Sequence, residues 1–348
     1  MTAHAQASAR AELPARQITQ VAAAFDVGTP STVVFLPAGM MNRNWRIETA
    51  RGVFALKEIV DVPVAKARRS LTALQALAAA GLPVCPPRLT AAGDTVADID
   101  GRAYCLLPWA TGSHRPGTDL GVGEAATLGG LLGGIHQALA STGTGLDQTV
   151  ERPLAKVTAP EAAAADADRF LHVIAALETP GPFDAAAADA LRQRKTLLAA
   201  RAGDRPAGEV PRGPVGWTHG DVQPLNVLWQ AGTVTAVLDW DRLAVRPYAE
   251  EVARTAQVQF TTSEGRLDLE RVAAFTAGYR TVVDLADEDL ADAVDRLWWK
   301  RMTDFWQLQW HYDKGDHGPD ELWASGERLL HWWTARRDQV RAAFTARP

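Results

Sequence analysis

Cysteine is nearly absent. The 348 residues contain only Cys85 and Cys105, too few for a disulfide framework and not in the C-x-x-C spacing of a metal ligand pair, so a reducing, cytoplasmic setting is expected. Long apolar runs are also missing: no stretch reaches the 18 or so residues of a membrane span, and the N-terminal MTAHAQASARAELPARQITQ has no apolar core of signal-peptide length. Neither membrane insertion nor export is expected. There is no excess of positive charge either. Lys plus Arg number 36 against 41 Asp plus Glu, a net charge of −5, which argues against a nucleic-acid partner. Lysine is scarce, six residues against thirty arginines, so a lysine in a motif position carries weight.

What is present describes a globular chain. Hydrophobic residues make up 47% and charged residues 22%, and the length suits two domains or two lobes around a cleft. Residues 15–25 have helical apolar spacing. Strands are predicted at 33–36, around 45–48 and at 53–59, the last two joined at Arg51-Gly52 as a hairpin that carries Lys57 near its end. A helix over 64–80 stops at Gly81, and two short strands bracket Asp100-Gly101 before Pro108-Trp109. Beyond residue 121 helices are predicted at 123–140, 160–177 and 184–200, and the final hundred residues, again helical, hold seven of the twelve tryptophans. One β island, Trp217 to Asp241, interrupts them, with a hairpin turning at Gln230-Ala231-Gly232.

That island carries the chemistry. It reads His219-Gly220-Asp221-Val-Gln-Pro-Leu-Asn226, then Asp239-Trp240-Asp241. Phosphoryl transfer asks a protein for a carboxylate near the attacking hydroxyl, oxygen ligands for magnesium and cations on the phosphates. Asp221, on a loop stiffened by Pro224, suits the proton acceptor. Asn226 at a strand start and Asp239 at the end of the returning strand are brought together by the hairpin, and their oxygens suit Mg²⁺. Asp241 reads either as a further ligand or as a carboxylate bonded within its own loop, the latter preferred. His136 reads as a packed histidine.

These motifs resemble the aminoglycoside phosphotransferase and choline kinase superfamily, whose fold is similar to that of protein kinases, along nearly the whole chain. The resemblance implies an α+β two-lobed fold: an N-terminal nucleotide-binding lobe, residues 1–108, with an antiparallel sheet and a helix, and a mainly helical lobe, 109–348, with the catalytic loop and acceptor site. It implies Asp221 as catalytic base, Asn226 and Asp239 as magnesium ligands, and His219, Asp241 and Glu251 as supports of the catalytic loop. Lys57 is similar to the family's nucleotide lysine. Gly39 and Asn42 fall in the nucleotide-covering loop, although its repeated glycines are missing, and Leu107 and Trp109 fall in the interlobe linker beside the purine. The donor is then ATP or GTP, and the acceptor a small hydroxylated molecule: an antibiotic or related natural product first, a metabolite of the homoserine or choline type second. A monomer or homodimer is expected.

One element of the family pattern is missing. No glutamate occurs between Glu58 and Glu124, so the helix after the lysine strand has none to pair with Lys57, and Glu58 should face the other side of its strand. Asp61 or Asp239 is the expected substitute; without one, a non-catalytic nucleotide-binding scaffold is the different-class reading. A helix from Leu297 to Tyr312 would put Trp299, Thr303, Trp306 and Trp310 on one face, as core or as an acceptor wall formed by Trp306 and Trp310. The acidic run Asp284 to Asp295 reads as a solvated helix start, with a lining for a cationic substrate as the alternative.

Overall fold

The computed structural model describes residues 13–37 and 42–347. After helix α1 (Ala15–Ala24) come strands β1 (Pro30–Leu36), β2 (Arg43–Thr49) and β3 (Gly52–Glu58), helix α2 (Val64–Ala79), and strands β4 (Ala97–Ile99) and β5 (Arg102–Pro108). They form one antiparallel sheet of order β1-β2-β3-β5-β4. Alternation sets its faces. Trp45 and Ile47 on β2, Phe54 and Leu56 on β3, and Tyr104 and Leu106 on β5 are buried together with Phe25 and Val27 at the end of α1. Lys57, paired in register with Asn44 and Cys105, belongs to the opposite alternation.

Farther along the chain lie β6 (Ser113–His114), α3 (Val122–Leu139), α4 (Pro160–Ala175), α5 (Pro182–Arg201) and β7 (Val215–Thr218). Strands β8 (Val227–Gln230) and β9 (Thr233–Val237) follow, with β6 paired to β8. The hairpin turn is Ala231-Gly232, both at positive φ (50° and 78°), the geometry that a two-residue loop needs to match strand twist. After β10 (Ala244–Pro247) the chain is helical: α6 (Tyr248–Phe260), α7 (Leu269–Arg280), α8 (Asp287–Thr303), α9 (Asp320–Thr334) and α10 (Arg337–Phe344).

The chain forms two compact units. One comprises residues 1–115, 134–150 and 217–244; the other comprises 116–133, 151–216 and 245–348. The segment 217–244, expected to hold the catalytic loop, thus clusters with the sheet residues, a partition different from a cut at 108/109. Within the first unit the hairpin is tied to the end of α2, because the Pro83 carbonyl accepts the Val237 amide at 2.7 Å.

The single helix expected from Leu297 to Tyr312 is broken. Helix α8 ends at Thr303, Asp304 is extended (φ −106°, ψ 130°), and its carboxylate caps the Trp306 amide at 3.1 Å. A single turn, Trp306–Leu308, runs into a π turn, Gln309–Asp313. Aspartate favours such local capping over helix continuation, so Trp299 and Thr303 do not share a face with Trp306 and Trp310.

Candidate active site

The loop that carries Asp221 is held from inside. His219 is fully buried; its Nδ1 accepts the Asp221 amide at 3.1 Å, so its Nε2 carries the proton donated to the Leu238 carbonyl at 2.9 Å. Its ring packs against Trp240. Gly220 supplies the left-handed turn (φ 85°), which a side chain would resist. Upstream, the Trp217 indole donates to the Asp147 carbonyl at 2.7 Å and the Thr218 hydroxyl to that of Ala244 at 2.9 Å. These bonds deliver the Asp221 carboxylate to a site where Gln223 Nε2 lies 3.3 Å and Arg242 Nε 3.9 Å away.

Asn226 is buried and donates its amide nitrogen to the Asp221 carbonyl at 2.8 Å, which leaves Oδ1 to serve as a ligand. The Leu238 amide donates to the Asn226 carbonyl at 2.8 Å, so the hairpin sets Asp239 next to Asn226 in the ladder. Asp239 itself has a left-handed backbone (φ 59°, ψ 74°). That conformation costs a non-glycine residue energy and persists only where its surroundings enforce it. Beyond it a short turn, Trp240–Arg242, folds Asp241 back to the same place.

Lys57 is the centre of this cluster. Its Nζ lies 2.6 Å from Asp241 Oδ2 and 3.1 Å from Asp239 Oδ1. Side-chain exposure is 14% for Lys57 and 16% for Asp241 but 48% for Asp239, so the first two form the buried anchor and Asp239 the open face. Burial works against the lysine's charge, yet the two carboxylates reverse that and hold its pKa above the ordinary value. Burial likewise raises Asp239, and Lys57 more than offsets it, leaving the carboxyl below the usual range.

The lysine's substitute partner is therefore Asp241 together with Asp239. Of the two carboxylates proposed from sequence, Asp239 takes part, while the main contact comes from Asp241, which is not occupied within its own loop. Asn42 reinforces it: its Nδ2 donates to Asp241 Oδ2 at 2.7 Å, and its Oδ1 accepts the amides of Val60 and Asp61 at 2.9 and 3.2 Å. Glu58, on the other alternation, is buried against Arg43 and Arg102 at 3.1 and 2.8 Å. The D-x-D spacing was the one sequence signal for Asp241; Arg242 carried none.

The other expected residues are placed as follows. Leu107 packs with Ala110 and Leu238 against a small apolar cluster of Cys85, Leu228 and Ala236. The Trp109 amide is committed to the Val53 carbonyl at 3.0 Å, and its exposed ring lies under Arg46. Gly39 lies outside the described residues. Glu251 is buried in the first turn of α6, and Trp306 and Trp310 meet edge to face, with Trp306 exposed; these three belong to the second unit. His136 is fully buried. In the acidic run Asp287 pairs with Arg280 and Arg347, Asp292 with Arg296, and Asp295 with Arg337 and Arg341.

No curated protein matches the chain. Among solved structures it is similar to an aminoglycoside phosphotransferase from Alicyclobacillus acidocaldarius (16% identity, 96% of this chain and 95% of that one, TM-score 0.61). It is also similar to a spectinomycin phosphotransferase in complex with ADP and spectinomycin (12% identity, 91% and 93%, TM-score 0.63), and to a microcompartment-associated aminopropanol kinase (16% identity, 94% and 99%, TM-score 0.60). At these identities the likeness establishes the α+β, kinase-like fold. The phosphotransferase enzyme family model matches residues 32–286, most of the chain and all of the cluster just described, so the chain belongs to that family and is a small-molecule kinase.

Proposed function

We propose that the chain transfers the γ-phosphoryl group of ATP or GTP to a hydroxyl of an antibiotic or related natural product. The observation that carries the reading is the convergence of Lys57, Asp239 and Asp241 beside the loop of Asp221 and Asn226. Asp221 accepts the proton of the attacking hydroxyl and, by its charge, orients it. Arg242, within ion-pair reach of Asp221, restrains that carboxylate. Lys57 binds the α and β phosphates, and His219 keeps the loop in shape.

The donor set fits magnesium. Two carboxylates against one ammonium leave a net negative charge, and the Asn226 amide oxygen adds a hard neutral ligand. Asn226 and Asp239 would hold the ion, which supplies charge neutralisation on the phosphates. Leu107 and the apolar cluster around Cys85 and Leu228 suit the purine, with Trp109 beside it; Gly39 and Asn42 belong to the proposed nucleotide-covering loop, and Glu251 to the proposed support of the catalytic loop. The division into a nucleotide lobe, 1–108, and an acceptor lobe, 109–348, with Trp306 and Trp310 against the acceptor, belongs to the same proposal. So does a cytoplasmic enzyme acting as a monomer or homodimer.

A metabolite kinase is the second reading, supported by the likeness to an aminopropanol kinase. The scaffold reading rested on the missing glutamate, and the pairing of Lys57 with Asp241 removes that support. The test is a magnesium-dependent ATP and GTP consumption screen over aminoglycosides, nucleoside antibiotics, choline, homoserine and sugars, with Asp221→Ala as the blank. Turnover above the blank with an antibiotic supports the proposal; turnover with choline or homoserine alone replaces it by the second reading. Nucleotide binding with no turnover on any acceptor would count against both.

A further inference from the structure

A second constellation of ligating side chains lies outside the Lys57–Asp239–Asp241 cluster and shares no residue with it. After the π turn, the chain loops through Gly315 (φ 65°), and the Asp316 amide returns to the Trp310 carbonyl at 2.9 Å. This fold-back sets His317 against His311 and against Asp320, the first residue of α9. His311 Nδ1 lies 2.8 Å from Asp320 Oδ2 and 3.0 Å from His317 Nδ1, and His317 Nδ1 lies 3.4 Å from the same carboxylate oxygen. Among the described residues this is the one group of three or more His, Cys, Asp or Glu side chains whose ligand atoms all fall within 4.8 Å of one another.

We propose that His311 Nδ1, His317 Nδ1 and Asp320 Oδ2 form a three-ligand site for a divalent ion of the zinc class. The separations fit such an ion without rearrangement. A circle through three atoms spaced at 2.8, 3.0 and 3.4 Å has a radius of about 1.8 Å, so a point about 1 Å off their plane stands about 2.1 Å from each, the Zn–N and Zn–O distance. Two imidazoles and one carboxylate are the borderline donor set that zinc, cobalt and nickel prefer, and magnesium and calcium do not. Three converging atoms that all offer lone pairs are satisfied together by one cation, whereas protons alone must be divided among them.

The surroundings agree. Asp320 Oδ1 is buried without a hydrogen-bond partner among the described residues, so none of them donates to the carboxylate from its far side. His311 is fixed by stacking on Phe183 at 4.3 Å, and its other nitrogen faces Asp184 Oδ1 at 3.8 Å, an oxygen that also accepts the Tyr312 hydroxyl at 2.7 Å. Asp184 thus places a carboxylate on the side of the ring away from the ligating nitrogen. Neighbouring acids are otherwise engaged: Asp313 pairs with Arg169 at 2.8 Å, and Asp316 Oδ1 accepts the Gly318 amide at 3.0 Å. His317 is 64% exposed, so the fourth position opens to solvent.

The test uses the full chain stripped with EDTA and held in saturating magnesium and ATP, so that the phosphotransfer site is not the one titrated. Addition of Co²⁺ is expected to give the intense visible bands of a four-coordinate ion at one equivalent per chain, and Zn²⁺ to bleach them. His317→Ala, at an exposed position, and Asp320→Asn should each weaken binding by about 30-fold or more, while Asp239→Asn leaves it unchanged. Absence of the bands, or equal cobalt affinity in wild type and His317→Ala, would overturn the proposal. Because the readout is spectroscopic, its failure leaves the kinase reading untouched.

Discussion

Lys57 in one unit and Arg194 in the other are both cations withdrawn from water, and they are partnered in opposite ways. Lys57 meets two carboxylates, Asp241 at 2.6 Å and Asp239 at 3.1 Å, so the group is over-compensated and its charge is reinforced. Arg194 pairs with Glu327, donates to the Asp304 carbonyl at 2.8 Å, and lies between the rings of Phe305 and Trp323 at 4.7 and 5.1 Å. Burial, with Arg301 nearby as the second cause, drives its pKa down to about 9. Around it Arg194 Nε, Glu327 Oε2, Trp323 Nε1 and His331 Nε2 are buried without hydrogen-bond partners. The first arrangement has one carboxylate more than its single ammonium needs. The second matches one carboxylate to one guanidinium.

Substitutions sharpen that contrast. The largest effect belongs to Asp221→Ala, which should lower kcat by about 10³-fold or more and leave Mg-nucleotide affinity within about twofold, as read by calorimetry. Equal losses in both would make Asp221 a ligand instead. On the structural side, Arg194→Ala strands Glu327 in the interior and should destabilise the fold by about 3–5 kcal/mol in urea titration. Arg194→Met combined with Glu327→Leu should recover most of that loss, and failure to recover would mean the pair does more than satisfy itself. Asp241→Asn keeps shape and removes the carboxylate nearest Lys57; a rise in nucleotide KM of about tenfold is expected, with the magnesium dependence intact. Asp239→Asn should weaken that magnesium dependence, and the two phenotypes together separate anchor from ligand.

The same contrast explains what the sequence disclosed. Alternation placed Lys57 and Glu58 on opposite faces of β3, and a short-range spacing, His219 to Asn226, marked one loop because a single turn holds all its members. The partner of Lys57 was harder to read. Asp241 reaches it only because Asp239 adopts a left-handed backbone and the next three residues form a tight turn, and no propensity announces that. The break at Asp304 was hidden for a related reason: apolar spacing continues through it, while one capping bond, Asp304 to the Trp306 amide, ends the helix. The His311–His317–Asp320 group is assembled by a loop whose fold-back depends on the Asp316–Trp310 backbone bond, so spacing alone did not mark it as a unit.

The smallest predicted effect is the acid limb of the Lys57 cluster. Asp239 is held below the ordinary aspartate range in the folded chain, burial opposing and Lys57 prevailing. A depressed carboxyl contributes stability that is fully present above its unfolded pKa of about 3.9 and is lost as pH falls through the lower folded value. The stability difference between wild type and Asp239→Asn should therefore be constant from about pH 5 upward and begin to shrink below about pH 4, as the unfolded chain takes up the proton that the folded carboxylate still resists. Lys57 does not disturb that window: its raised pKa keeps its contribution intact below the unfolded lysine value of about 10.4. Half-exposed Asp239 is screened by solvent, so the difference is expected to be about 1 kcal/mol or less, measured by urea unfolding at pH 7 and pH 3.5. A difference that stays constant down to pH 3.5 would mean the variant acts through the strained backbone at 239 and not through its charge.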